Sequence, residues 1–105
     1  MAVILSNDAD FASQLASNQN VMVKYYADWC GNCKLFAPKF RRLSDDERFA
    51  GITFLDVNAE ENEQARRLGE VDNLPYFAVF KNGERLAGRA TSKEESVLEL
   101  LAQLQ

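Results

Sequence analysis

The sequence predicts an α/β domain, a mixed sheet covered by helices on both faces, and three observations carry that expectation. Strand-like and helical periodicities alternate from the N-terminus to about Leu68, the arrangement that builds parallel strands through right-handed crossovers. Beyond that point two strand-like runs meet at Asn82-Gly83, the dipeptide a two-residue type I′ hairpin prefers, so an antiparallel edge joins the sheet. The 105 residues, 47% of them hydrophobic and 27% charged, suit one compact domain over 1–105 whose core needs no disulfide or metal staple.

Element by element, the order is β-α-β-α-β-α-β-β-α. A short strand at Ala2 to Leu5 precedes a helix beginning near Asn7 or Asp8, with an Asx residue as N-cap and Phe11 and Leu15 on one face. Val21 to Ala27 is apolar almost throughout, as a strand buried on both faces must be, and Lys24 is its one charged member. From Cys30 to about Arg48 the pattern is helical, with Phe36, Phe40 and Leu43 recurring at i, i+4, i+7 and Pro38 placed to kink the axis. Ile52 to Val57 follows as a strand and Glu60 to Leu68 as a weaker helix. The hairpin strands are Tyr76 to Lys81 and Glu84 to Arg89. A helix from about Ser92 to Leu104 closes the chain, opened by a capping box at Ser92-x-x-Glu95 and carrying Val97, Leu98, Leu101 and Leu104 on one face.

Composition narrows the chemistry. Twelve basic against sixteen acidic residues give a net charge of −4, which provides no footprint for nucleic acid. No histidine is present, so His general bases, Cys-His and Ser-His nucleophile pairs and His-ligated metals are excluded. No apolar stretch approaches membrane-spanning length, and Met1 to Leu5 lacks the basic flank and apolar length of a secretory leader, so a cytoplasmic, membrane-free protein is expected.

Cys30-Gly31-Asn32-Cys33 stands where the strand hands over to the helix. Unpaired amides of the first helical turn and the positive end of the helix dipole favour an anion at Cys30, which should lower its pKa below the roughly 8.5 of a free thiol. Cys30 is then the nucleophile. Cys33, one turn further in and more buried, reads as the resolving thiol. A bare C-x-x-C could also be half of a zinc site, a loop closure or chance. Zinc needs four ligands, and with no further cysteine and no histidine a metal would have to be shared between subunits or completed by carboxylates or a small thiol. The strand-to-helix junction of a βαβ pattern is the context that marks a dithiol-disulfide motif.

With these residues in view, the chain resembles the thioredoxin family over nearly its full length. Val23 to Lys34, reading Val-Lys-Tyr-Tyr-Ala-Asp-Trp-Cys-Gly-Asn-Cys-Lys, is similar to the family's strand, Trp-Cys-Gly-Pro-Cys-Lys site and following helix. Pro38 matches the proline within that helix, Leu74-Pro75 the cis-proline dipeptide, and Phe80-Lys-Asn-Gly83 the hairpin turn before a glycine equivalent to Gly88. The resemblance implies the thioredoxin fold and a thiol-disulfide oxidoreductase that reduces protein disulfides, drawing electrons from NADPH through a flavin-containing thioredoxin reductase and needing no bound cofactor or metal. It implies a monomer whose substrate surface includes Trp29, Gly31, Leu74, Pro75 and Gly88. Ordinary packing would account for Trp29 alone, and a tight turn for Pro75 alone.

The sequence departs from the family at several positions. Asn32 stands where proline is usual and has a backbone N–H that can point at the Cys30 sulfur. Such a donor would stabilise the reduced form and make the potential less negative, by about 30 mV for each 1.4 kcal/mol. Lys24 occupies the place of a buried aspartate that in many relatives helps deprotonate the resolving thiol, and the accompanying lysine's place falls near Phe54. The pair is therefore expected to be lost as a unit, with Lys24 carrying its ammonium to the surface on its long stem. Tyr76 after Pro75 and Arg89 after Gly88 bear on which substrates fit. Two rival functions keep the same motifs: a glutathione-coupled, glutaredoxin-like reductase, whose Cys-Pro-Tyr-Cys site this chain does not resemble, and a non-catalytic binding module docking through Trp29 and Leu74. A cysteine-ligated metal or iron-sulfur site bridging a dimer is a further rival.

Overall fold

In the computed structural model, which describes residues 3–105, the strands are β1 (Ile4–Leu5), β2 (Asn20–Tyr26), β3 (Thr53–Asn58), β4 (Tyr76–Lys81) and β5 (Glu84–Ala90), and the helices are α1 (Phe11–Ser17), α2 (Gly31–Asp45), α3 (Glu63–Gly69) and α4 (Glu94–Ala102). They form one five-stranded sheet in the order β1-β3-β2-β4-β5. β2 runs parallel to β3 and antiparallel to β4, so this largely apolar strand lies at the centre of the sheet, as its composition predicts. The β4–β5 hairpin is antiparallel, and Asn82 and Gly83 both take positive φ (52° and 84°), the type I′ geometry expected of that dipeptide. Ala2, the expected start of the first strand, lies outside the described residues.

Strand alternation sorts the core into two layers. Val21, Val23 and Tyr25 of β2 and Leu55 and Val57 of β3 face Phe11 and Leu15 of α1 and Ala65 of α3. Met22 of β2, Phe54 of β3 and Phe77 and Val79 of β4 face Phe36, Phe40 and Leu43 of α2 and Val97, Leu100, Leu101 and Leu104 near α4. Leu98 packs only partly against this layer, and Leu100 takes a buried place that the expected helix face leaves out. Among the described residues, no helix is long and apolar enough to cross a membrane.

Several helices begin later than the sequence predicts, because side chains hold the preceding residues in turns. Asn7 Oδ1 accepts from the amides of Ala9 and Asp10 (2.9 and 3.2 Å), an Asx turn that delays α1 to Phe11. Asn58 Oδ1 accepts from Glu60 N–H (3.0 Å) and delays α3 to Glu63. Asp8, distant in sequence, then caps α3 by accepting from the amides of Gln64 and Ala65 (3.2 and 2.9 Å). The capping box at Ser92 does not form. Thr91 N–H is bonded to Pro75 O (3.1 Å) and Thr91 Oγ1 accepts from Lys93 N–H (3.1 Å), so the chain is still leaving the sheet there and Lys93 becomes the N-cap. α2 stops at Asp45 because Asp46 opens a short 3-10 turn, Glu47–Phe49, whose Arg48 N–H its carboxylate accepts (2.9 Å).

On the α1/α3 side the core contains a polar chain. Tyr25 is fully buried and its hydroxyl donates to Ala65 O (2.8 Å), while Tyr76 OH accepts from Arg85 Nη2 (2.6 Å) and Arg85 Nε donates to Gly69 O (2.9 Å). Burial pushes the Tyr25 phenol well above its ordinary value, Arg85 offsetting part of the rise and Tyr76 adding to it. A raised folded-state pKa gives stability that is fully present below the unfolded value, about 10, and is lost as pH climbs beyond it. Urea midpoints should therefore fall steeply above about pH 10, and Tyr25→Phe should flatten that fall; an identical alkaline slope in the two proteins would remove Tyr25 as the cause.

Candidate functional site

The sheet delivers its central strand to the start of α2. β2 ends at Tyr26, a turn places Cys30 N–H on Ala27 O (3.1 Å), and Cys30 becomes the N-cap of α2 with extended backbone (φ −84°, ψ 104°). Its sulfur accepts from the amide of Cys33 (3.2 Å), a capping interaction made by sulfur in place of oxygen. Cys30 and Cys33 are joined in a disulfide with Cα atoms 5.3 Å apart. Both are nearly enclosed, Cys33 more than Cys30 (2% and 5% exposed), as expected of an inner and an outer sulfur.

The amide aimed at Cys30 Sγ is thus that of Cys33. No hydrogen bond from the Asn32 amide to that sulfur occurs among the described residues, so the donor expected from replacing proline is absent in this oxidised geometry. Asn32 instead lies exposed on the wall of a small groove with Asn73, Leu74, Pro75 and Thr91. Lys34 is exposed, donates its backbone N–H to Cys30 O (3.2 Å) and lines the cleft under Cys33. Pro38 lies inside α2 with no N–H to offer the carbonyl one turn earlier.

Around the pair, Gly31 is exposed, Leu74 half-buried and Pro75 buried, and the Leu74-Pro75 bond is cis. Leu74 packs against Ala27, Cys30 and Cys33. Trp29 is 67% exposed beside them, its indole N–H donating to Glu60 Oε2 (2.7 Å). Trp29, Glu60, Arg66, Asp72 and Leu74 line a groove of about 250 Å³. Packing therefore does not account for Trp29: the ring lies on the surface and is tethered there by one hydrogen bond. Glu60, the tether, is a residue that sequence reasoning misses, since it reads as one of a pair of solvated acids.

Gly88 is not brought to this surface. It pairs with Ala78 inside the hairpin, and a Cβ there would lie 2.6 Å from the Tyr76 hydroxyl, so its missing side chain makes room for the Tyr76–Arg85 contact on the α1/α3 side. Ala90, opposite Tyr76, and Thr91, bonded to Pro75 O, occupy the place beside the cis-proline. Arg89 is exposed and its guanidinium lies 3.6 Å from Glu99.

Lys24 overturns the expectation of a surface ammonium. It is 3% exposed, with Nζ 3.3 Å from Asp56 Oδ1 and above the rings of Phe40 and Tyr26 (5.4 and 5.8 Å). The partner is its register neighbour, because β2 and β3 are parallel and Lys24 stands opposite Asp56. Phe54 is instead a core residue in edge contact with the Phe40 ring. An acid–lysine pair is therefore not lost: a buried lysine lies on the central strand and a half-buried acid on its neighbour, the reverse of the arrangement the resemblance supplies. Burial raises the Asp56 carboxyl above its ordinary value, opposed by Lys24 and to a lesser degree by Arg41. Tyr26 is also pushed up, by burial first and then by Asp56, Asp28 and Glu61. Among the described residues, no group of three or more His, Cys, Asp or Glu side chains is placed to hold a metal ion.

An N-capping sulfur bonded to a second one turn on, under an apolar rim, can do one chemistry readily: exchange with an external thiol or disulfide. Comparison with known proteins agrees. The family model Thioredoxin matches residues 2–103. Thioredoxin of Gallus gallus is 28% identical over 106 residues, covering 99% of both chains. That of Mycobacterium tuberculosis is 32% identical over 98 residues, covering 92% of this chain and 84% of its own. In structure, the reduced thioredoxin of Schistosoma mansoni superposes with a TM-score of 0.88 at 29% identity, each chain covered completely.

Proposed function

We propose that this chain, which belongs to the thioredoxin family and is a protein-disulfide oxidoreductase, works as a reductase with Cys30 as nucleophile and Cys33 as resolving thiol. In the reduced protein the first-turn amides and the helix dipole hold Cys30 as a thiolate. It attacks one sulfur of a substrate disulfide, forming a mixed disulfide and expelling the other sulfur as a thiolate. Cys33 then attacks Cys30, the Cys30–Cys33 bond forms, and the substrate leaves reduced by two electrons. The observation that carries these roles is the N-cap: Cys30 Sγ, not Cys33 Sγ, receives the helix amide.

The substrate lies as an extended segment over Trp29, Gly31, Leu74 and Pro75, with Ala90 and Thr91 in the place assigned above to Gly88. NADPH and a flavin-containing thioredoxin reductase return the electrons, and the protein operates as a cytoplasmic monomer without bound cofactor. Insulin reduction tests this reading, run with thioredoxin reductase and NADPH beside glutathione with its own reductase. Turnover is expected with the first system and a loss to background in Cys30→Ser. Turnover with glutathione alone would assign the chain to the glutathione-coupled class, and undiminished turnover in Cys30→Ser would remove the nucleophile. No turnover with either system would favour the binding module.

A further inference from the structure

Leu74 and Pro75 close the loop that runs from the end of α3 at Gly69 to the start of β4 at Tyr76. Its own backbone bonds are local. The amides of Glu70 and Val71 reach back to Arg67 O and Arg66 O (3.1 and 3.3 Å), and that of Leu74 is turned to the Asn73 side chain (2.9 Å). Asp72 and Asn73 between them are exposed. None of these bonds ties one end of the loop to the other. Arg85 of β5 does: its side chain, 22% exposed, donates Nε to Gly69 O (2.9 Å) and Nη2 to the Tyr76 hydroxyl (2.6 Å), with Nη1 3.9 Å from the Glu70 carboxylate. A planar guanidinium fork fixes the separation of two acceptors, and positive charge is favoured at the last carbonyls of a helix.

The surroundings make this clasp rigid. The Tyr76 ring lies in edge contact with Tyr25 (6.2 Å between centroids), whose hydroxyl is bonded to α3 at Ala65 O (2.8 Å). A Cβ at Gly88 would meet both the Arg85 guanidinium and the Tyr76 hydroxyl, so the glycine keeps their place open. We infer that Arg85 is a positioning residue for the reductase reaction: by clasping both ends of the 70–74 loop it holds Leu74 against the cysteine pair and Pro75 at the substrate face. An extended polypeptide then meets a surface already in its binding shape, and the entropy of ordering that surface is not charged to binding. The inference rests on the assignment of Leu74 and Pro75 to the substrate surface. The N-cap of Cys30 is built within α2, away from the clasp, so loss of Arg85 should act on substrate affinity and not on thiolate attack.

The test compares insulin, a polypeptide disulfide, with the small aromatic disulfide 5,5′-dithiobis(2-nitrobenzoate), and follows hydrogen exchange at the Glu70 and Val71 amides. Arg85→Met keeps an apolar stem and loses the fork. With thioredoxin reductase in excess, its KM for insulin is expected to rise roughly tenfold at a kcat within about twofold of wild type. Attack on the aromatic disulfide should stay within about twofold, and the two amides should exchange roughly tenfold faster. Arg85→Lys, which keeps the charge without the fork, should fall between. Unaltered exchange with unaltered KM would overturn the clasp. Faster exchange with unaltered KM would overturn the inference through its premise, by taking the substrate off this loop. A loss on the aromatic disulfide equal to that on insulin would mean a general loosening of the domain and would overturn it as well. Should Arg85→Met fold poorly, Tyr76→Phe decides, because it keeps the ring and the Arg85–Gly69 bond and removes only the hydroxyl: KM should rise roughly threefold, and an unchanged KM would refute the clasp.

Discussion

Cys33→Ser should stop turnover while leaving the first attack intact, and should collect the protein as a covalent adduct with its substrate. Cys30 keeps its N-cap position in that variant, and the amide of residue 33 still reaches its sulfur. The thiolate therefore still opens a substrate disulfide. What is missing is the only internal thiol able to break the mixed disulfide, since the chain has just two cysteines. Release then depends on an external thiol. Turnover of insulin with the reductase system should fall by about a thousandfold or more, because a covalent intermediate that cannot be resolved removes the enzyme after one event. Intact-mass measurement should show the adduct, and dithiothreitol should dissolve it. Near wild-type turnover without adduct would mean that Cys33 is not the resolving thiol. Cys30→Ser gives no adduct, so the two serine variants separate the two sulfurs by product and not merely by rate.

Much of this site can be read from the residues, for a local reason. A run that is apolar, β-branched and aromatic but for Lys24 reads as a central strand, and the motif that follows it opens the next helix, so the N-cap position of Cys30 follows from sequence alone. The hairpin is legible for the same reason, because Asn-Gly carries its own backbone geometry. Contacts between strands distant in sequence are a different matter. Whether Lys24 snorkels or stays inside depends on what stands opposite it, and that is fixed by the parallel register of β2 against β3. A signal existed: Lys24 and Asp56 are each the one charged residue in their apolar strands, and a lone buried charge needs a partner. The assignment of Gly88 fails for a topological reason. β5 carries an extra residue, Leu86, at the register shift opposite Val79 and Phe80, and it runs to Ala90, so the cis-proline meets the residues at its end and not the glycine in its middle.

Phe77→Ala is expected to be the most damaging change away from the sulfurs. Phe77 is fully buried, its ring 4.9 Å from that of Phe36 and 5.8 Å from that of Phe40, both in edge or tilted contact, and Phe40 continues the stack to Phe54 at 5.3 Å. Truncation leaves a ring-sized void between β4 and α2, at a cost of about 3–5 kcal/mol. Against a total stability of roughly 5–15 kcal/mol for a domain of this kind, that is a large fraction. The same stack forms the bed of the chemistry: Phe36 and Phe40 lie on the helix that begins at Cys30, and Phe77 stands opposite Lys24 in the β2–β4 register. Loss of the ring therefore weakens the seat of α2 and the apolar surroundings of the Lys24–Asp56 pair together. Leu35 on the same helix is 74% exposed, and Leu35→Ala should change stability by no more than about 0.5 kcal/mol. Urea unfolding of the two variants beside wild type measures both. A Phe77→Ala loss as small as that of Leu35→Ala would show that the aromatic stack does not hold α2 to the sheet.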